Sequence, residues 1–267
     1  MLRELGNRDE MIENDEDCEE VKLNPFNPKT AHKYYLMYSE WLVDIPTDFS
    51  TKWLMKPCPK GKRQLVVCRY GITSCYTKSG FKINQFSSKL PGGSAATSDS
   101  MTVLDCIYVK SLKTYYILDC VSWDDQDFSE GEFSLRQYWL NSKFSENKSF
   151  GQSSKKFPFK FANIESVPCT KGEMEKCMAS SFEYELDGLL FYYQDVNYER
   201  GQTPFVGWLL PWMLPDMLDV QVPDVYKKPE NSMEENNIKE FIDEYNTKRD
   251  YTGSIKKTTS KNADEMT

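Results

Sequence analysis

Six residues, Cys58-Pro59-Lys60-Gly61-Lys62-Arg63, set three basic side chains around one glycine, directly before the strand-like run "QLVVC". A permissive turn rimmed by cations and leading into a buried strand is suited to holding a phosphate. Covalent attack from this turn would fall to the Cys58 thiol or a lysine amine. Only Lys60, Lys62 and Arg63 lie close enough in sequence to activate that thiol, and an inert pocket or core cysteine is the expected role. A second chemistry-bearing feature is Trp208 in "TPFVGWLLPWM", an indole that could stack on a base or pack in the core.

Other chemistries are excluded early. The chain has a single histidine, His32, which removes Ser/His/Asp and Cys/His triads and His-rich metal sites. Its eight cysteines show no CxxC pair and no zinc-ligand spacing, and most sit in apolar runs such as "LVVC" and "YILDCV". They are expected to be reduced and buried. No run of about 18 apolar residues and no secretory leader is found, so a soluble, intracellular chain without a membrane partner is expected. No cofactor is implied.

The formal charge of −8 is unevenly spread. Residues 1–30 carry 4 basic and 9 acidic side chains, residues 219–267 carry 8 and 11, and residues 31–218 carry 21 of each. The reading is an acidic disordered leader (1–30), one folded domain (31–218) and a polar, mostly disordered tail (219–267). From Phe49 to Ser98 there are nine Lys or Arg and no Asp or Glu. A one-signed surface of that kind raises the local concentration of an anionic ligand.

The elements that must position these residues are chiefly strands. "RQLVVCRY", "TSCYTK", "FKINQF", "MTVLDCIYV" and "TYYILDCVSW" alternate β-branched and aromatic residues between Gly-, Ser- and Asn-rich breaks. "SLKT" suits a hairpin turn, whereas "EFSLRQYWLNSKF" and "KGEMEKCMASSF" have helical spacing. "ELDGLLFYYQ" returns to strand. "LPGGS" reads as a turn and not a phosphate loop, because no helical pattern follows it. Trp53, Trp123, Trp139 and Trp212 read as packing residues. The fold class expected is α+β, largely antiparallel.

Four stretches, in order, resemble the lysine nucleotidyltransferases, that is, the mRNA capping guanylyltransferases and ATP-dependent ligases. The K-x-D-G-x-R motif corresponds to Cys58–Arg63, L-D-G-E to Leu104-Asp105-Cys106-Ile107, D-G-L-I-F to Asp187–Phe191, and L-L-K-W-K to Phe205–Leu209. The departures remove the covalent chemistry. Cys58 stands where that family has its lysine nucleophile, Ile107 replaces an acidic residue, and Gly207 and Leu209 replace the lysines flanking Trp208. A fold of the guanylyltransferase/ligase kind without transferase activity is implied. The alternative is a divergent lysine-dependent nucleotidyltransferase using Lys60 or Lys78.

"LMYSEWLVDIPTDF", "CPKGKRQLVV", "TSCYTKSGF", "NQFSSKLPGGS", "LDCIY", "ELDGLLFYYQ" and "TPFVGWLLPWML" more closely resemble the snurportins. These are nuclear import adaptors that recognise the trimethylguanosine cap of spliceosomal small nuclear RNAs. The resemblance implies that Trp208 stacks on the methylated base, that Ser39 and Trp41 read its edge and N2 methyls, and that Cys58 lines the pocket. It further implies that Lys62, Arg63 and Lys78 lie beside the cap phosphates. Partners implied are capped small nuclear RNA and its ribonucleoprotein, with importin-β and exportin, and shuttling between cytoplasm and nucleus. The arginine-rich importin-β-binding helix of snurportins is not seen in the acidic residues 1–30, so cap binding without direct importin-β binding is expected of this polypeptide.

Overall fold

A computed structural model describes residues 36–227, 238–243 and 245–247. The acidic leader, His32, Cys18 and the remainder of the expected tail lie outside the described residues. Among the described residues twelve strands form two sheets. The first has the order β1 (Met37–Trp41), β12 (Gly201–Leu209), β11 (Leu186–Tyr193), β2 (Trp53–Pro59), β10 (Val167–Pro168). The second has the order β5 (Lys82–Phe86), β4 (Ile72–Tyr76), β3 (Lys62–Arg69), β6 (Thr102–Val109), β7 (Thr114–Trp123), β8 (Gln126–Asp127), and β9 (Lys160–Asn163) also pairs with β7. Among the described residues only β1–β12 and β7–β9 are parallel pairs. The α+β, largely antiparallel expectation therefore holds.

The helices follow the sequence periodicity. α1 (Phe49–Lys52) tucks Phe49 against Trp53 and Phe191. α2 (Phe133–Glu146), the predicted "EFSLRQYWLNSKF" helix, buries Phe133, Arg136, Gln137 and Leu140. α3 (Lys171–Met178) buries Met174 and Met178, and α4 (Leu214–Leu218) follows a turn at Pro211–Met213. "SLKT" does connect β6 to β7, with Lys113 in the left-handed region at φ 50°.

Alternation along the strands builds cores on both faces of the second sheet. Val66, Cys68, Cys75, Leu104, Cys106, Tyr115, Ile117 and Cys120 form one core with Leu140 of α2 and Phe150. Ile107, Val109, Tyr116 and Leu118 join the larger core with the first sheet. The seven described cysteines are all free, six of them buried. Burial pushes the Cys68 thiol up to about 11 and the Cys75 thiol up to about 12, so both stay protonated at neutral pH. Trp53, Trp123 and Trp139 pack on aromatic neighbours, as their sequence surroundings suggest.

Packing continues beyond residue 218, where the sequence reading ends the domain. Val220 is buried, and Ile238 and Ile242 of a C-terminal helical segment (described at 238–243 and 245–247) join the larger core. Four apolar residues at helical spacing (238, 241, 242, 245) account for this, in a stretch whose net composition is polar.

Candidate nucleotide-binding cleft

Strand register fixes the site. Trp41 on β1 pairs with Trp208 on β12, Trp208 with Leu190 on β11, and Leu190 with Lys56 on β2. Directly paired residues share a face, and Lys56 Nζ reaches the carbonyls of Leu118 (2.5 Å) and Ile117 (3.4 Å) in the second sheet. That row of side chains is therefore buried between the sheets, with Trp41 on the edge strand. Two residues along, Cys58 pairs with Gly188 on the same face.

Gly188 explains how the indole of Trp208 is held. A Cβ at Gly188 would lie 2.0 Å from Cζ2 and 2.2 Å from Cη2 of Trp208, so the ring lies across the bare Cα of β11 and towards Cys58. Any larger residue would evict the ring from this shelf. Ser39, Trp41 and Met37 alternate inward from β1, whereas Tyr38 and Glu40 are half-buried on the other face. Beside them β12 bulges: its register against β1 jumps between Tyr38 and Glu40, from Gln202 to Gly207. Pro204, lacking an N–H, falls within the jump and cannot donate to the ladder. The turn residue Gly61 sits so close to β6 that a Cβ would lie 2.5 Å from the Tyr108 carbonyl oxygen. The glycine of "CPKGKR" thus permits the chain entering β3 to approach β6 closely.

The basic residues divide into two kinds. Arg63 is half-buried, donating to both oxygens of Asp105 (Nε–Oδ1 3.0 Å, Nη2–Oδ2 2.7 Å) and to the Met37 carbonyl (2.5 Å), with its guanidinium over the Tyr38 ring. Burial opposes the Arg63 charge, and Asp105 more than restores it. Tyr198 completes the clamp, donating to Asp105 (2.9 Å) and accepting from the Met37 N–H (3.2 Å). Arg63 therefore fastens β1 to the second sheet, and its charge is offset. Lys62 is exposed at the start of β3, and Lys78 is half-buried in the turn between β4 and β5.

The carboxylate-free stretch of sequence is not a carboxylate-free surface in space. Lys52 pairs with Asp195 and Lys60 with Glu185, both at the surface, besides the Arg63–Asp105 pair. The anion field expected from nine cations is reduced accordingly. Among the described residues, no cluster of three His, Cys, Asp or Glu side chains is arranged to hold a metal ion.

Behind the tryptophans runs a buried polar spine that sequence reading missed. Asp105 and Asp119 face each other across the β6–β7 ladder, each within a Leu-Asp-Cys triplet. Arg136 of α2 neutralises Asp119 with two bonds of 2.8 and 2.9 Å, both side chains being fully buried. Arg136 also donates to the carbonyls of Gly131 and Val196. Lys56, 0% exposed, lies nearby; burial lowers its amine to about 7 despite Asp119 and Asp105. The missed signal was an aspartate inside each of two otherwise apolar strands, which requires a buried partner.

Comparison with known proteins follows this geometry. The family described as Snurportin1, m3G cap-binding domain, matches residues 35–211. Among solved structures, the chain is similar to the ligase domain of M. tuberculosis LigD (13% identity, TM-score 0.44, covering 65% of this chain and 57% of that one). It is also similar to a mycobacterial DNA ligase D complexed with ATP and MES (14%, 0.48, 66% and 60%). A third is Chlorella virus DNA ligase-adenylate (11%, 0.43, 66% and 66%). This chain spans 57–66% of the length of those structures. The match over residues 35–211 takes in β1, the "CPKGKR" turn, Gly188 and Trp208, and the chain belongs to the snurportin m3G cap-binding domain family.

Proposed function

We propose that the cleft binds the 5′ trimethylguanosine cap of small nuclear RNA without catalysis, and that the protein acts as an adaptor for nuclear import of the capped ribonucleoprotein. The observation that carries the reading is the Trp208 indole lying on Gly188, in register with Trp41 and next to Cys58. A 7-methylated guanine is cationic, so an indole offers it both stacking and cation–π attraction. Stacking contributes about 1–3 kcal/mol per base, and cation–π about 0.5–2 kcal/mol as the site dries. Two methyls on N2 remove hydrogen-bond donors and add apolar surface, which suits the Trp41 edge better than a carboxylate. Ser39, buried on the same face of β1, is the polar group nearest in sequence to read the base edge.

In this reading Lys62 and Lys78 supply charge for the phosphate bridge, while Arg63 positions β1 through Asp105 and the Met37 carbonyl. Importin-β, exportin and shuttling between cytoplasm and nucleus belong to the adaptor part of the proposal. Against nucleotidyl transfer, Cys58 is a buried thiol at the position of the nucleophile, and Lys60 is held by Glu185 at 2.6 Å. The Lys56 amine is fully buried and donates to two carbonyls.

The test is filter binding of three short RNAs of one sequence, capped with trimethylguanosine, capped with monomethylguanosine, or carrying a 5′ triphosphate. Preferential retention of the trimethyl-capped RNA is expected, with no denaturation-resistant adduct after incubation with labelled GTP or ATP and magnesium. Equal retention of all three, or an adduct, would overturn the proposal.

A further inference from the structure

We infer that the C-terminal helical segment, residues 238–247, is an intramolecular competitor of the cap: it occupies Trp41 in the free protein and leaves when the cap binds. The inference rests on the cap-binding reading of this cleft. Tyr245 meets Trp41 edge-on with ring centroids 5.4 Å apart, and Phe241 does so at 6.4 Å while also touching Trp212 at 5.2 Å. Ile238 and Ile242 press the same helix into the core. Beneath these rings Trp41 is 9% exposed. The edge of the base cannot reach Trp41 without displacing Phe241 and Tyr245 from it.

Two features mark this cover as removable. Trp41 Nε1 is buried with no hydrogen-bond acceptor among the described residues, so the closed state carries an unpaired donor that a polar ligand could satisfy. The segment is also short. Helices below about 12–15 residues are marginal alone, so this one depends on four apolar side chains and opens more readily than the sheets beneath it. Lys239, Glu240 and Asp243 are exposed. The rings at 241 and 245 meet Trp41 at 88° and 87°, an edge-on contact at the place where the N2 methyls of the base would sit.

A ligand that must first displace an occupant binds more weakly by the fraction of molecules already open. The experiment is hydrogen exchange of the full chain with and without trimethylguanosine cap dinucleotide, with tryptophan quenching in the same samples to register binding. Faster exchange over residues 238–247 on cap addition is expected. Slower or unchanged exchange there, with quenching, would overturn the inference and leave the cap-binding reading intact. Absence of quenching at saturating cap would overturn both. In the full chain, Phe241→Ala with Tyr245→Ala is expected to raise apparent cap affinity at least about threefold. An unchanged or weaker affinity would count against the inference.

Discussion

The substitution Gly188→Ala adds one methyl group and is expected to cost most of the cap affinity. The added Cβ would lie 2.0 and 2.2 Å from two carbons of the Trp208 ring, well inside van der Waals contact. Gly188 has no positive φ, so the backbone itself accepts alanine, and Gly→Ala at a compatible site gains about 0.4–1 kcal/mol through the unfolded chain. The strain falls on the indole, which must tilt off β11. Tilting forfeits stacking of about 1–3 kcal/mol and cation–π attraction of about 0.5–2 kcal/mol. Since 1.4 kcal/mol is tenfold in affinity, a loss of at least about tenfold is expected. The assay is a fluorescence titration with trimethylguanosine cap dinucleotide on Gly188→Ala, Trp208→Ala and the double variant. If the glycine acts through the ring, the double variant binds no more weakly than Trp208→Ala alone. Wild-type affinity in Gly188→Ala, or additive losses in the double variant, would refute this reasoning.

Two further expectations concern the polar spine. Lys56 titrates near 7 in the fold, chiefly through burial, and near 10.5 when unfolded. Between pH 7 and about 8.5 the unfolded chain therefore holds the extra proton, and stability rises by about 1.4 kcal/mol per pH unit. Above that window the cysteines raised by burial, Cys68 and Cys75 among them, act with the opposite sign. Urea unfolding at pH 6.5, 7.5 and 8.5 should show this rise in the wild type and not in Lys56→Met; parallel curves would contradict a neutral Lys56. Arg136→Leu strands the fully buried Asp119 and should cost about 3–5 kcal/mol, much of it recovered by adding Asp119→Leu. Equal stability of the single and double variants in urea would show that the Asp119 charge finds another partner.

The strands and the two helices were legible because their signals are local: alternation in "MTVLDCIYV" and "TYYILDCVSW", and three- and four-residue spacing in "EFSLRQYWLNSKF". The pairing of Trp41 with Trp208 was not, since 167 positions separate them and only the parallel β1–β12 register brings them side by side. The family resemblance pointed to those residues, and the register shows that they lie side by side. Cation counting along residues 49–98 misled because the partners Asp195, Glu185 and Asp105 come from distant strands and loops. The C-terminal helix was hidden by averaging, because its polar face dominates the composition while four apolar residues dock it.

The most direct test of the account is an equilibrium titration of the wild type and Trp208→Ala with trimethylguanosine and monomethylguanosine cap dinucleotides, followed by tryptophan quenching. The account predicts saturable quenching of the wild type, tighter binding of the trimethyl cap, and at least about a tenfold loss in the variant. Equal affinity for both caps, or a Trp208→Ala protein that binds as the wild type does, would contradict it.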